Sequence, residues 1–116
     1  MSGTSWIIVG CIAAFVVYKI FIDKPSPDAV TGMKTAVAEG ALLLDVRTPS
    51  EYAGQHLDGA INIPVGDLGA RLDEVGDKAR TVVVYCASGG RSASAKRLLD
   101  QGGFRDVRDL GSWRNW

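Results

Sequence analysis

The chain has 116 residues, enough for one domain with little to spare. Lys plus Arg is 13 and Asp plus Glu is 13, so net charge gives no ground for a nucleic-acid partner. Two cysteines and one histidine supply neither a disulfide framework nor a metal ligand set, and no cofactor is implied.

After a short N-terminal tail (1–5), residues 6–22 are almost wholly apolar, broken only by Lys19. As a helix this run spans roughly 25 Å, a little short of the hydrocarbon core of a bilayer. It is too apolar on all sides for the surface helix of a small domain. The expectation is a single transmembrane anchor, with Lys19 snorkelling and Trp6 and Tyr18 near the headgroups. A secretory signal fits less well, because Met1 to Ser5 carries no basic side chain. Ile8-Val9-Gly10-Cys11 resembles a lipoprotein processing site, but the apolar run continues past Cys11. Lys19 and Lys24 flank the C-terminal end, which by the positive-inside rule turns the rest of the chain toward the cytoplasm. Export to the periplasmic side is the alternative.

A linker (23–26) precedes a domain expected over 27–116. Ser26 reads as an N-cap with Pro27 at the first helical position. Val30, Met33 and Val37 recur at helical spacing up to Gly40. Ala41 to Val46 is a continuous apolar run, hence a strand buried on both faces. Thr48-Pro49-Ser50-Glu51 is a capping box opening a short helix. A short strand is expected over Ala60–Ile63, and one amphipathic helix through Leu68, Leu72 and Val75, closed by Gly76. A strand over Thr81–Tyr85 follows, then a helix over Ser92–Gln101 with Ala93, Leu98 and Leu99 inward. Asp106–Leu110 is a last short strand. Strands alternating with helices predict an α/β fold: a small parallel sheet flanked by helices on both faces, preceded by one transmembrane helix.

The chemistry concentrates in Cys86-Ala87-Ser88-Gly89-Gly90-Arg91-Ser92. A thiol at a strand end, before a helix N-terminus, sits where backbone N–H groups converge. That field favours the thiolate, so Cys86 is the candidate nucleophile. Gly89 and Gly90 let the backbone turn its amides inward. Arg91 offers a positive fork to an anionic ligand or braces the loop. Ala87, Ser88, Gly89, Gly90 and Ser92 are the candidate substrate-binding residues, with Ser92 also expected to cap the following helix. Charge is skewed toward this half. From Cys86 onward six bases (Arg91, Lys96, Arg97, Arg105, Arg108, Arg114) face three acids (Asp100, Asp106, Asp109). That suits an anionic substrate, although a solvated surface accounts equally well for most of these bases.

This loop resembles the active-site loop of the rhodanese (sulfurtransferase) family. Asp45-Val46-Arg47 with Glu51-Tyr52 is similar to a second family segment. His56-Leu57-Asp58-Gly59-Ala60-Ile61-Asn62-Ile63-Pro64 is similar to a third, and Gly103-Phe104 through Leu110-Gly111-Ser112-Trp113 to the closing one. Ser112 stands where the family pattern has a second glycine. The resemblance implies sulfur transfer through a persulfide on Cys86. A small anionic donor such as thiosulfate would load it, and a thiol or cyanide acceptor, a protein thiol included, would unload it. It also implies that His56 is structural rather than catalytic. Asp45 and Arg47 are expected to form a structural ion pair, and Trp113 and Trp116 to pack, with Trp113 able to flank the site. Three alternatives stay open: a persulfide relay for a partner, a non-catalytic binding module at the membrane, and a cysteine-loop phosphatase or arsenate reductase. The last of these uses a longer cysteine-to-arginine loop.

Overall fold

The computed structural model describes residues 24–116. The expected anchor over 6–22 lies outside the described residues; among those described, no helix is long and apolar enough to cross a membrane. Helix α1 (Pro27–Ala38) starts as its sequence dictates: the Ser26 hydroxyl accepts the Ala29 N–H at 3.1 Å, and Pro27 occupies the first turn. Strand β1 (Leu42–Asp45) is buried throughout. Helix α2 (Pro49–Gly54) opens on the full capping box between Thr48 and Glu51. Strand β2 (Ile61–Asn62) is short.

The single amphipathic helix expected through Leu68, Leu72 and Val75 is instead two turns, α3 (Val65–Leu68) and α4 (Leu72–Val75). Gly66 and Gly69 weaken the helix, and Arg71 leaves helical geometry at φ −123°, ψ 26°. The apolar side chains still reach the core, since Leu68 and Val75 are buried and Leu72 packs against them. Strand β3 (Val82–Cys86) is wholly buried and reaches one residue further than expected, so the cysteine itself belongs to the sheet. Helix α5 (Gly90–Gln101) begins two residues earlier than expected. Its buried positions are Ser92, Ala95 and Leu99; Ala93 is exposed, contrary to expectation, and Leu98 is partly buried. Strand β4 (Val107–Ser112) leads into a 3₁₀ turn over Trp113–Asn115.

The four strands form one parallel sheet in the order β2-β1-β3-β4. Side chains alternate across it. Leu42, Leu44, Val82, Val84 and Cys86 face a core closed by α3, α4 and α5. Leu43, Val83 and Tyr85 face the other side with Met33 of α1, against which Val30, Val37 and Tyr52 pack. The stripe on α1 is therefore core packing, and helices cover both faces of the sheet.

One irregularity positions the site. Val84 pairs with Asp109, but Tyr85 pairs with Gly111, so Leu110 is an extra residue in β4. Gly111 takes φ +76°, and the Asp109 carboxylate accepts its N–H at 2.8 Å. The bulge sets Ser112 opposite Cys86 at the carboxyl edge of the sheet.

Candidate active site

Cys86 ends β3 at that carboxyl edge, where parallel α/β sheets bind their ligands. It is a free thiol with no exposed surface, and it packs into the core on the α5 side. The chain then turns through Ala87–Gly89. Gly89 takes φ +114°, a conformation that L side chains rarely adopt, and becomes the N-cap of α5. That turn aims the Gly89 N–H at Cys86 Sγ, 3.0 Å away.

Burial is the largest single influence on the Cys86 thiol, and it pushes the pKa up. Hydrogen bonds reverse the sign. The Ser92 hydroxyl and the backbone N–H groups of Ser92, Gly89 and Ser88 together bring the thiol below its ordinary value. Ser92 does not cap α5, as expected from sequence. It lies inside the first turn, fully buried, and its hydroxyl is 3.0 Å from the Gly89 carbonyl. A hydroxyl has one proton. With a neutral thiol beside it, the Gly89 carbonyl is the better acceptor. A thiolate competes for that proton, which is how Ser92 lowers the thiol pKa.

Arg91 is not an open fork. Its Nη1 donates to Glu51 Oε1 at 2.7 Å and its Nη2 to Glu51 Oε2 at 3.1 Å. Glu51 is itself held: Oε1 also accepts the Thr48 N–H at 3.1 Å and the Thr48 hydroxyl at 3.0 Å. Above all the Arg91 hydrogen bonds, then those from Thr48, hold the Glu51 carboxyl at about 2. The pair ties the loop to the first turn of α2 and neutralises the arginine. Sequence reasoning read Glu51 only as a capping residue. Its second role carries no local signal, because its partner lies 40 positions away.

Asp45 and Arg47 form the expected ion pair, buried and bidentate, with Nη2 2.7 Å from Oδ2. Arg47 also donates to the Gln55 carbonyl, and its guanidinium lies 5.6 Å from the Tyr85 ring and 5.2 Å from the Trp113 ring. Trp113 thus packs on the far face of the sheet from the thiol. His56 stacks on Tyr52 with ring centroids 3.8 Å apart, and its Nδ1 lies 2.7 Å from the Tyr52 carbonyl. It is a surface brace for α2. Among the described residues no cluster of His, Cys, Asp or Glu is placed to hold a metal ion.

A cleft of about 710 Å³ opens beside the loop. Ser88, Gly89, Gly90, Ala93 and Lys96 form one wall; Asp109, Gly111, Ser112 and Asn115 form the other, with Lys24 at its margin. Of the expected substrate-binding residues, Ser88, Gly89 and Gly90 line this cleft, whereas Ser92 lies beneath it. The β4 wall was not anticipated; two of its residues, Gly111 and Ser112, are those the bulge sets opposite Tyr85 and Cys86.

A parallel α/β domain with an activated, buried thiol under a ring of amides is built for cysteine-based group transfer. Residues 29–116 match the rhodanese-like domain, and the chain belongs to that family. It is 40% identical over 73 residues to the thiosulfate sulfurtransferase PspE of Escherichia coli, covering 62% of this chain and 70% of that one. It is 36% identical over 104 residues to the chloroplastic thiosulfate sulfurtransferase 16 of Arabidopsis thaliana, covering 79% and 87%. A human single-domain sulfurtransferase superposes with a TM-score of 0.68 at 28% identity, covering 74% of this chain and 89% of that one. These relatives support a sulfurtransferase enzyme.

Proposed function

We propose that the chain takes a sulfane sulfur from an anionic donor such as thiosulfate, carries it on Cys86, and delivers it to a thiol or cyanide. The observation that carries this reading is the cradle: a short loop whose amides converge on one sulfur atom. The names of the thiosulfate sulfurtransferases above support the choice of donor. The Cys86 thiolate attacks the outer sulfur of thiosulfate. A bond forms to Sγ, the donor's S–S bond breaks, and sulfite leaves with its electron pair. The terminal sulfur now carries the charge and meets the loop N–H groups of Ala87 to Ser92. An acceptor thiolate or cyanide then takes that sulfur, and the S–S electron pair returns to Cys86. The hydrogen bonds of the loop favour the thiolate, which is the work a general base would otherwise do.

Oxyanion chemistry of the phosphatase kind is disfavoured. It needs an arginine open to the ligand, and Arg91 is committed to Glu51. The relay reading shares this chemistry and differs in what loads and unloads Cys86, whereas a non-catalytic module would not load it at all. We further propose that residues 6–22 tether the domain to a membrane on its cytoplasmic side; the apolar run and the flanking Lys19 and Lys24 support this. Sedimentation with membranes after an alkaline wash tests the tether, and release into the supernatant refutes it.

The chemistry is tested by the intact mass of the purified chain after thiosulfate. A gain of one sulfur atom, removed by cyanide and absent in Cys86→Ser, is expected. No gain with a thiol still present rules the donor out.

A further inference from the structure

We infer that Ala93 and Lys96 set the size and charge of the sulfur acceptor, by shaping the cleft through which a peptide-sized thiol bearing a carboxylate reaches the Cys86 persulfide. This rests on the persulfide reading above.

The first ground is size. A cleft of about 710 Å³ falls within the range of roughly 300–1,000 Å³ that holds organic ligands. Thiosulfate and cyanide leave most of it empty. The second ground is direction. Cys86 is buried, and the acceptor's target is not Sγ but the sulfur bound to it. A persulfide puts its outer sulfur about 2 Å further out. Displacement at that atom requires a nucleophile in line with the S–S bond, on the side away from Sγ. The walls of the cleft are the residues that flank Cys86: the loop that donates to Sγ, and Ser112, its partner across the sheet.

The third ground is the lining. Gly89, Gly90 and Ala93 leave the α5 wall nearly free of side chains, and Ala93 is exposed although an apolar helix position would ordinarily be buried. The charged groups are Lys24, Lys96 and Asp109. One Asp109 oxygen is already engaged by the Gly111 N–H. Lys96 lines the cleft while its Nζ pairs with Asp100, 2.8 Å away and one turn further along α5, in a pair that water screens and a ligand carboxylate can share. The balance favours an acceptor with a negative end. The transfer itself is balanced: the thiolate bonds the outer sulfur, the Cys86 S–S bond breaks, and Cys86 leaves as thiolate.

The test measures kcat/KM for two acceptors, glutathione and cyanide, with thiosulfate as donor and the full chain as enzyme. In Ala93→Phe the ratio of glutathione to cyanide falls about tenfold or more, because the bulky acceptor loses its in-line position. In Lys96→Gln the KM for glutathione rises about threefold, as expected for one partly screened charge. A ratio unchanged in both folded variants overturns the inference and leaves the persulfide intact. Should Ala93→Phe not fold, an unchanged glutathione KM in Lys96→Gln is enough to overturn it. A wild-type chain that gains no sulfur from thiosulfate overturns the persulfide reading, and this one with it.

Discussion

Removing Glu51 separates two roles for Arg91. In Glu51→Ala the arginine keeps its charge but loses its tether. In Arg91→Ala the tether loses its other end. Both side chains are about one third exposed, at 33% and 36%, so their ion pair is a partly screened one worth about 0.2–1 kcal/mol. Glu51 also closes the capping box on Thr48, worth about 1 kcal/mol more. Glu51→Ala should therefore cost about 1.5 kcal/mol and lower Tm by roughly 10 °C, while Arg91→Ala should cost about 0.5 kcal/mol and roughly 3 °C. Acid sharpens the contrast. A carboxyl held at about 2, against an ordinary 4.5, contributes stability that is whole above pH 4.5 and lost as pH falls toward 2. Glu51→Ala should flatten that part of the stability profile. In thiosulfate turnover, a brace predicts similar losses in the two single variants and little further loss in the double. The assay is a double-mutant cycle on donor kcat/KM. Strictly additive losses, or a large loss in Arg91→Ala with none in Glu51→Ala, would refute the brace and place Arg91 on the donor.

Other outcomes follow from the same geometry. Gly89→Ala meets no atom within 4 Å but is strained at φ +114° by about 1–2 kcal/mol; the loop relieves that strain by rotating, which takes the N–H off Sγ and raises the thiol pKa. The ultraviolet absorbance of the thiolate during titration reads that rise directly. In the unsubstituted chain the Cys86 thiolate persists below the ordinary 9.0, so sulfur uptake from thiosulfate should stay level on acidification from pH 9 and fall only through the lowered pKa. A midpoint at 9 would mean that burial outweighs the loop amides. Arg47→Ala strands the fully buried Asp45 carboxylate and should cost about 3–5 kcal/mol, enough to unfold a domain this small in a urea titration. Lys96→Ala should weaken thiosulfate turnover much less than Arg91→Ala, since Lys96 stands off the loop on an exposed turn.

Much of this protein was legible in order along the chain. The continuous apolar runs around Leu42–Asp45 and Val82–Cys86, the Ser26 cap and the Thr48–Glu51 capping box are local patterns, and each formed where its residues stand. The cysteine loop was legible for the same reason: a strand end, two glycines and a helix start lie within seven consecutive residues. Ser92 differs because the helix begins at Gly90, which puts it inside the first turn; Ala93 differs because the buried stripe runs through Ser92, Ala95 and Leu99, and Ala93 stands about 100° round the helix from Ser92. What only the tertiary structure decided involves residues far apart in sequence. Glu51 meets Arg91 across 40 positions and turns an open cation into a brace. The bulge at Leu110 brings Ser112 beside Cys86, where it lines the cleft. Propensity, capping and periodicity act within a few residues, so they identify the nucleophile. Charge pairing and strand register act across the fold, and they determine what surrounds it.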